Sequence, residues 1–319
     1  MTSSFASAKN NFRQRDDIHV LAALTAVFAW GIGPIFNKTM TVDASAIVFY
    51  RILVGAPLMF AMALLTGGGV SIELMKRTAL PGVLFAFSMI TGFASVVMTS
   101  IANATLITTL QPVLVLLIAP KMFGEKLRLR QLLYSACALV GVLLVVLAAA
   151  STSGAHLSGD LLAVANVCIW TGYFVLSKKR RLAGVHSWSY LAAVFLWSAA
   201  VVLPYGMIFS NDLGNMSNAD WGRILAMAIG PGIVGHGLMT WAQSHVDVTL
   251  ASLLGLLSPV ISTGLAWMIL DQNLTTWQTV GAIGVLISLA FLVREQRTPT
   301  WGFTRARGLR PRCSQRPSR

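Results

Sequence analysis

TALPGVLFAFSMITGFASVVMTSIANATLITTLQPVLVLLIAP, residues 78–120, runs for 43 residues without Asp, Glu, Lys or Arg. A membrane span needs about 20 apolar residues. At 1.5 Å per residue this run would make one helix of about 65 Å, twice the thickness of the hydrocarbon layer. It must turn back, and the polar stretch Thr99-Ser100-Ile101-Ala102-Asn103 is the place the sequence offers. The run therefore predicts two crossings.

The same reading works outward in both directions. Charged residues punctuate the chain into further apolar runs, and together they predict ten helices, at 18–37, 44–66, 79–98, 102–122, 131–150, 159–177, 188–209, 223–244, 248–270 and 276–293. Period-2 alternation is absent, which argues against an outer-membrane barrel. Composition agrees: 55% of residues are hydrophobic and 11% charged, against about 25% charged in a soluble domain. Such a chain cannot cover itself with a water-compatible surface, which argues against a soluble enzyme and against intrinsic disorder. The first seventeen residues are polar and carry no cleavage-like site, so the first apolar run is expected to stay as an anchor. Cys137, Cys168 and Cys313 have neither metal-ligand nor redox spacing, and no metal or cofactor is expected.

The net charge of +13 would suggest nucleic acid in a soluble protein. Here the distribution decides. With the N-terminus inside, 21 of the 24 Lys and Arg fall in inside segments, among them Lys121 to Arg130, Lys178 to Arg181 and the Arg-rich tail. Lys38 and Arg223 lie near outside ends, and Arg51 lies within a helix. This bias places both termini in the cytoplasm and accounts for the charge without nucleic acid. The expected location is a cell membrane, the inner one in a bacterium, with lipid as a partner and a homodimer left open.

The chain also repeats. Trp30 to Lys38 aligns with Trp170 to Lys178, Pro81-Gly82 with Pro231-Gly232, and Pro112, Leu127 and Gln131 with Pro259, Leu274 and Gln278. Each half holds five helices. Five is odd, so the second half enters from the opposite side. The predicted fold is an all-α membrane protein with ten transmembrane helices in two inverted five-helix repeats: a tail at 1–17, repeats at 18–150 and 151–293, and a basic tail at 294–319. Inverted repeats are a common transporter architecture, with substrate bound near the midplane.

Trp30-Gly31, Tyr50-Arg51, a proline in helix four followed by Gly124-Glu125, and Leu127 with Gln131 make the chain resemble the EamA family of the drug/metabolite transporter superfamily. The second half echoes this with Trp170, Pro259, Leu274 and Gln278, but has Asp271-Gln272 where the first has Gly124-Glu125. The resemblance implies ten helices around a central cavity and outward movement of small metabolites, often amino acids or related compounds.

Candidate site residues follow from depth and chemistry. Arg51 lies about 11 Å along its helix, where a charge costs a few kcal/mol unless it reaches water or a partner. The readings stay open: it attracts a carboxylate in a wet cavity, or it snorkels toward Asp43 or caps carbonyls of a neighbouring helix. Its neighbour Tyr50 belongs to the same candidate set. Trp30 and Trp170 are mates in the repeat and are expected to face each other, with Tyr173 one turn from Trp170. Ile229 to Gly237 holds four glycines and Pro231 around His236, an irregular helix suited to exposing backbone to a cavity. Gln111 precedes Pro112, and Pro112 and Pro259 are expected to kink their helices in mid-span as paired hinges. Thr105, Thr108, Thr109, Ser258 and Ser262 add hydrogen-bonding groups.

GxxxxGK[ST], HExxH and GxSxG motifs are absent, so neither ATP-driven pumping nor common hydrolase chemistry is supported. The spans hold no central Asp or Glu, which disfavours proton coupling by a buried carboxylate. The expected function is secondary transport, outward, of a small-molecule substrate by alternating access. A membrane-embedded sensor or enzyme on the same scaffold is the alternative.

Overall fold

A computed structural model describes residues 2–99, 104, 107–149, 156–270 and 274–296. Every regular element among them is helical. In chain order they are α1 (Thr2–Thr39), α2 (Ala44–Leu65), α3 (Ile72–Met98), α4 (Gln111–Phe123), α5 (Leu129–Ala149), α6 (Leu157–Leu182), α7 (Ser187–Phe209), α8 (Asn218–Met227), a π-helical segment (Ala228–His236), α9 (Gly237–Ala242), α10 (Val248–Leu254), α11 (Leu257–Leu270) and α12 (Thr276–Gln296). The turn at 100–103, Thr105, the joint at 151–155, Asp271-Gln272, and the basic tail from 297 with Cys313 lie outside the described residues.

Among the described residues nine segments are long and apolar enough to cross a membrane. Their outer faces carry large apolar side chains in the open: Leu65 is 81% exposed, Ile72 77%, Ile208 72% and Met268 71%. Water would penalise so much contiguous apolar surface, and lipid does not. The chain is a multi-pass membrane protein.

Helix ends depart from the charge-free runs for a local reason. α3 starts at Ile72 rather than 79 because the Ser71 hydroxyl accepts the Leu74 N–H at 3.1 Å. Its first turns hold Glu73, Lys76 and Arg77, which stand in water and do not end a helix. Likewise α1 reaches back to Thr2 through the polar stretch expected as a tail. Absence of charge marks the part of a helix in lipid, and capping marks where the helix starts.

The two hinge prolines sit differently from expectation. Pro112 is the second residue of α4, just after a turn at Thr109-Leu110, and Pro259 is the third residue of α11, just after a turn at Gly255-Leu256. Neither kinks a continuous helix. Each occupies a first turn, where its missing N–H leaves no bond unmade, and the break lies in the turn before it.

Contacts between chain-distant residues sort the helix ends into two groups. At one end His19 stacks on His245 at 3.7 Å, Lys178 reaches Gln243 and Val246, and Arg128 pairs with Glu295. This is the basic end. At the other, Thr41 donates to Asp220 at 2.7 Å, Ser210 to Asp43 at 2.9 Å, and Thr99 to Asp160 at 2.7 Å. This is the carboxylate end.

Asp220 is the anchor of the carboxylate end. It is fully buried and takes bonds from Thr41, from Ser217 in a capping box, and from Arg223 at 2.9 Å. Hydrogen bonds to a charged group are worth roughly 1.5–3 kcal/mol. Asp220→Ala is therefore expected to lower stability by about 2–3 kcal/mol, read as an earlier unfolding midpoint in detergent. Asp43 works alongside: burial pushes its carboxyl up, but N–H and O–H donors from Ala46, Ser210, Asn211 and Asp212 outweigh this and hold it below the usual carboxylate range.

Candidate functional site

Five side chains from four segments meet around His236. Trp30 comes from α1, Phe85 from α3, Trp170 and Tyr173 from α6, Phe195 from α7, and His236 ends the π-helical segment. The imidazole centroid lies 5.3 Å from Trp30, 5.1 Å from Phe85, 6.1 Å from Trp170 and 6.1 Å from Phe195. Tyr173 closes the set at 5.2 Å from Trp170 and 5.0 Å from Phe85. The repeat mates Trp30 and Trp170 do meet, edge to face at 6.0 Å. Trp170 packs against two of the hydrophobic clusters of the bundle, so the box sits at their seam.

The π-helical segment explains how His236 and Trp30 come together. Pro231 has no N–H for the helical ladder, and the glycines around it allow the wider winding. The Pro231 carbonyl accepts the Trp30 indole N–H at 3.2 Å. Gly235 makes the room: a Cβ there would fall 2.5 Å from Trp30 Nε1. His236 is 3% exposed, and its Nε2 has no hydrogen-bond partner among the described residues.

A narrow pocket of ≈ 10 Å³ runs from Trp30, Trp170 and His236 toward Ser177, Thr240 and Gln243. That is room for about one water. Below it, Ser177 donates to the Gln243 side chain at 2.7 Å, and Gln243 is 1% exposed. The pocket is closed on the basic side by this pair.

Arg51 on α2 is half-buried and lies within Coulombic reach of His236. Among the described residues it makes no salt bridge. The alternative partner, Asp43, gives its carboxylate to Ala46, Ser210 and Asn211 instead. A cation, an orphaned imidazole nitrogen and a box of aromatic faces therefore lie together.

Other expected residues lie elsewhere. Tyr50 is not in the box: its hydroxyl accepts the Gly214 N–H at 3.0 Å and its ring meets Trp221 at 5.0 Å, which makes it part of the seal at the carboxylate end. Gln111 starts α4, half-buried, with its Nε2 unpartnered among the described residues. Ser262 donates to the Gly31 carbonyl at 2.6 Å and ties α11 to α1. Thr108 bonds back to Ala104. Sequence reasoning missed Phe85 and Phe195. Each lies in an unbroken apolar run, where Phe85 is fully buried and Phe87, two residues on, is 45% exposed. Only helix phase separates them.

Lys178 was grouped above with the basic residues that set orientation. Instead it is 3% exposed, and its amine donates to the carbonyls of Gln243 and Val246, both at 2.7 Å. Arg181 likewise bonds the Thr240 carbonyl at 2.9 Å and the Val185 carbonyl. These two cations stitch α6 to α9 and to the loop after it.

A bundle of membrane-crossing helices with irregular segments around a central, mostly apolar pocket is the architecture of a transporter. The chain belongs to the EamA-like transporter family, which matches residues 17–147 and 157–294. It is similar to the probable amino-acid metabolite efflux pump of Escherichia coli, at 27% identity over 84% of this chain and 92% of that one. It is similar to the aromatic amino acid exporter YddG of Ancylobacter novellus, at 27% over 76% and 85%, and to the pseudopaline exporter CntI of Pseudomonas aeruginosa, at 21% over 87% and 96%. A solved structure at 22% identity superposes with a TM-score of 0.74, covering 88% of this chain and 99% of the other, a likeness of fold.

Proposed function

We propose that the protein exports small organic metabolites, amino acids or close relatives, from the cytoplasm by alternating access. The observation that carries this is Arg51. It is a cation in the membrane with no salt bridge among the described residues, beside the unpartnered His236 Nε2 and the Trp30–Trp170–Tyr173 faces. Arg51 holds the substrate carboxylate, His236 a second polar group, and the rings an apolar or aromatic part. The named exporters among its relatives favour the same class.

The proposed architecture is ten crossings in two inverted halves. Thr99, after α3, lies at the carboxylate end beside Asp160. Glu125, after α4, lies at the basic end beside Val248. The chain between them crosses once more, with α4 as its second part. α1 enters from the basic end and α6 from the carboxylate end, as inversion requires. The Lys/Arg bias assigns the basic end to the cytoplasm. In a variant lacking the native cysteines, Ser158→Cys is expected to react with an impermeant maleimide in intact cells, and Lys179→Cys only after permeabilisation. Equal labelling in intact cells would reject this topology.

The direct test is flux. Purified protein in liposomes should speed equilibration of labelled amino acids without ATP. A screen over aromatic, aliphatic, sulfur-containing and hydroxylated amino acids with no flux above empty liposomes would reject the substrate class.

A further inference from the structure

Where α6 ends and α10 begins, a buried ionic cluster stands apart from the aromatic box. Gly124, at φ +66°, ends α4 in the left-handed region that favours glycine and turns the chain so that Glu125 reaches α10. The Glu125 carboxylate accepts the N–H groups of Val248 at 2.8 Å and Thr249 at 3.3 Å. Asp247 precedes the helix, but its side chain makes no cap bond there. Asp247 is 8% exposed and Lys178 3%. The hydroxyl of Thr249, a residue 6% exposed, has no hydrogen-bond partner among the described residues. Asp247 and Lys178 are buried, Glu125 is half-buried beside them, and with all three ionised the cluster carries an uncompensated negative charge. Such a charge is expensive to bury, and one proton on a carboxylate removes it.

Other charged groups lie on the elements around this cluster. Arg181 of α6 binds the Thr240 and Val185 carbonyls. Arg128 pairs with Glu295 of α12 at 3.7 Å, and His245 stacks on His19 of α1. Lys121 of α4, Lys126, Asp17 of α1, Lys179 and Arg180 of α6, and Arg294 of α12 complete the set. The two that act on the Asp247 carboxyl are Glu125 and Lys178.

We propose that Asp247 is a proton-binding site in the gate at the basic end, protonated while the gate is bonded shut and ionised when it opens. Burial, and then the Glu125 carboxylate, push the Asp247 carboxyl up to about 7, against the opposing effect of Lys178. In an open, wetted gate it returns toward the ordinary value of about 4. The shut gate therefore binds the proton more tightly, and acid favours it. Between pH 8 and pH 6 the balance moves about tenfold toward shut. The proton enters and leaves on one side, so this regulates export by the pH of that side and does not drive it. The inference rests on the transporter reading only in taking this gate to open.

The test reads the gate and needs no substrate. Thr240→Cys, in the lining of the closed pocket, is introduced into protein whose Cys137, Cys168 and Cys313 are replaced by Ser. Its maleimide labelling in nanodiscs is divided by that of the exposed Ser158→Cys, which cancels the thiol's own pH dependence. The ratio should fall about tenfold from pH 8 to pH 6. Asp247→Asn should hold it at the low level throughout. Should that variant fail to fold, Glu125→Gln should move the midpoint to lower pH and Lys178→Met to higher pH, while His19→Gln with His245→Gln leaves it in place. A ratio independent of pH in the parent protein overturns the proposal. So does an unchanged profile in Asp247→Asn, a flat profile at the alkaline level, or a midpoint that follows the histidines alone. A titrating ratio with no flux for any amino acid would reject the proposed function and keep the gate.

Discussion

Arg51→Met is expected to lower flux at limiting substrate by about 10–100-fold, while the protein unfolds no earlier than before. A charge-assisted bond to a carboxylate is worth roughly 1.5–3 kcal/mol, and each 1.4 kcal/mol is about tenfold in affinity. The stability side follows from what Arg51 lacks. It makes no salt bridge among the described residues, and a charge within the membrane costs a few kcal/mol. Removing it relieves a cost and breaks no ion pair. Arg51→Lys keeps the charge but loses the planar fork, so its flux should fall between the two. Thermal unfolding in detergent and initial rates in liposomes measure both sides. A drop in unfolding temperature and membrane abundance matching the lost flux would assign Arg51 a structural role instead.

Gly235→Val should be nearly as damaging, by the opposite route. Even a single Cβ would meet Trp30 Nε1 at 2.5 Å and Cδ1 at 2.6 Å. The indole has to leave, and the Pro231 carbonyl loses its donor. Overpacking costs about 1–3 kcal/mol, and a buried acceptor left unpaired costs roughly 1–3 kcal/mol more. Both flux and unfolding temperature are expected to fall. Gly235→Ala combined with Trp30→Leu makes space again, so stability should recover while flux does not, because the face opposite Trp170 is gone. If the double variant transports normally, Trp30 has no part in binding.

Much of the architecture was legible in one dimension because a bilayer imposes a one-dimensional rule. A residue's charge decides whether it can lie in hydrocarbon, so charge-free runs mark the crossings. The repeat mates Trp30 and Trp170 were legible as well, from the match of Trp30 to Lys38 with Trp170 to Lys178. The irregular helix around His236 was legible too, since Pro231 and four glycines can sustain few regular windings. The partners in the box were not. Phe85 and Phe87 flank the same Ala86 in sequence and have opposite surroundings in space. Tyr50, adjacent to Arg51, turned out to bind the loop at Gly214, because successive residues on a helix point about 100° apart and adjacency places them on different faces.

The sequence by itself determined that this chain crosses a membrane many times, which end gathers the cations, and that its halves are related. Those properties are sums over many residues, and each contributes independently of its neighbours. Tertiary structure alone decided which rings surround His236, that Pro112 and Pro259 begin half-helices, and that Lys178 is a buried link rather than a surface charge. It also brought Glu125 and Asp247 to one place across 122 positions of chain. Two carboxylates that distant affect each other only after folding removes the water between them, and that change of dielectric is not written at either position.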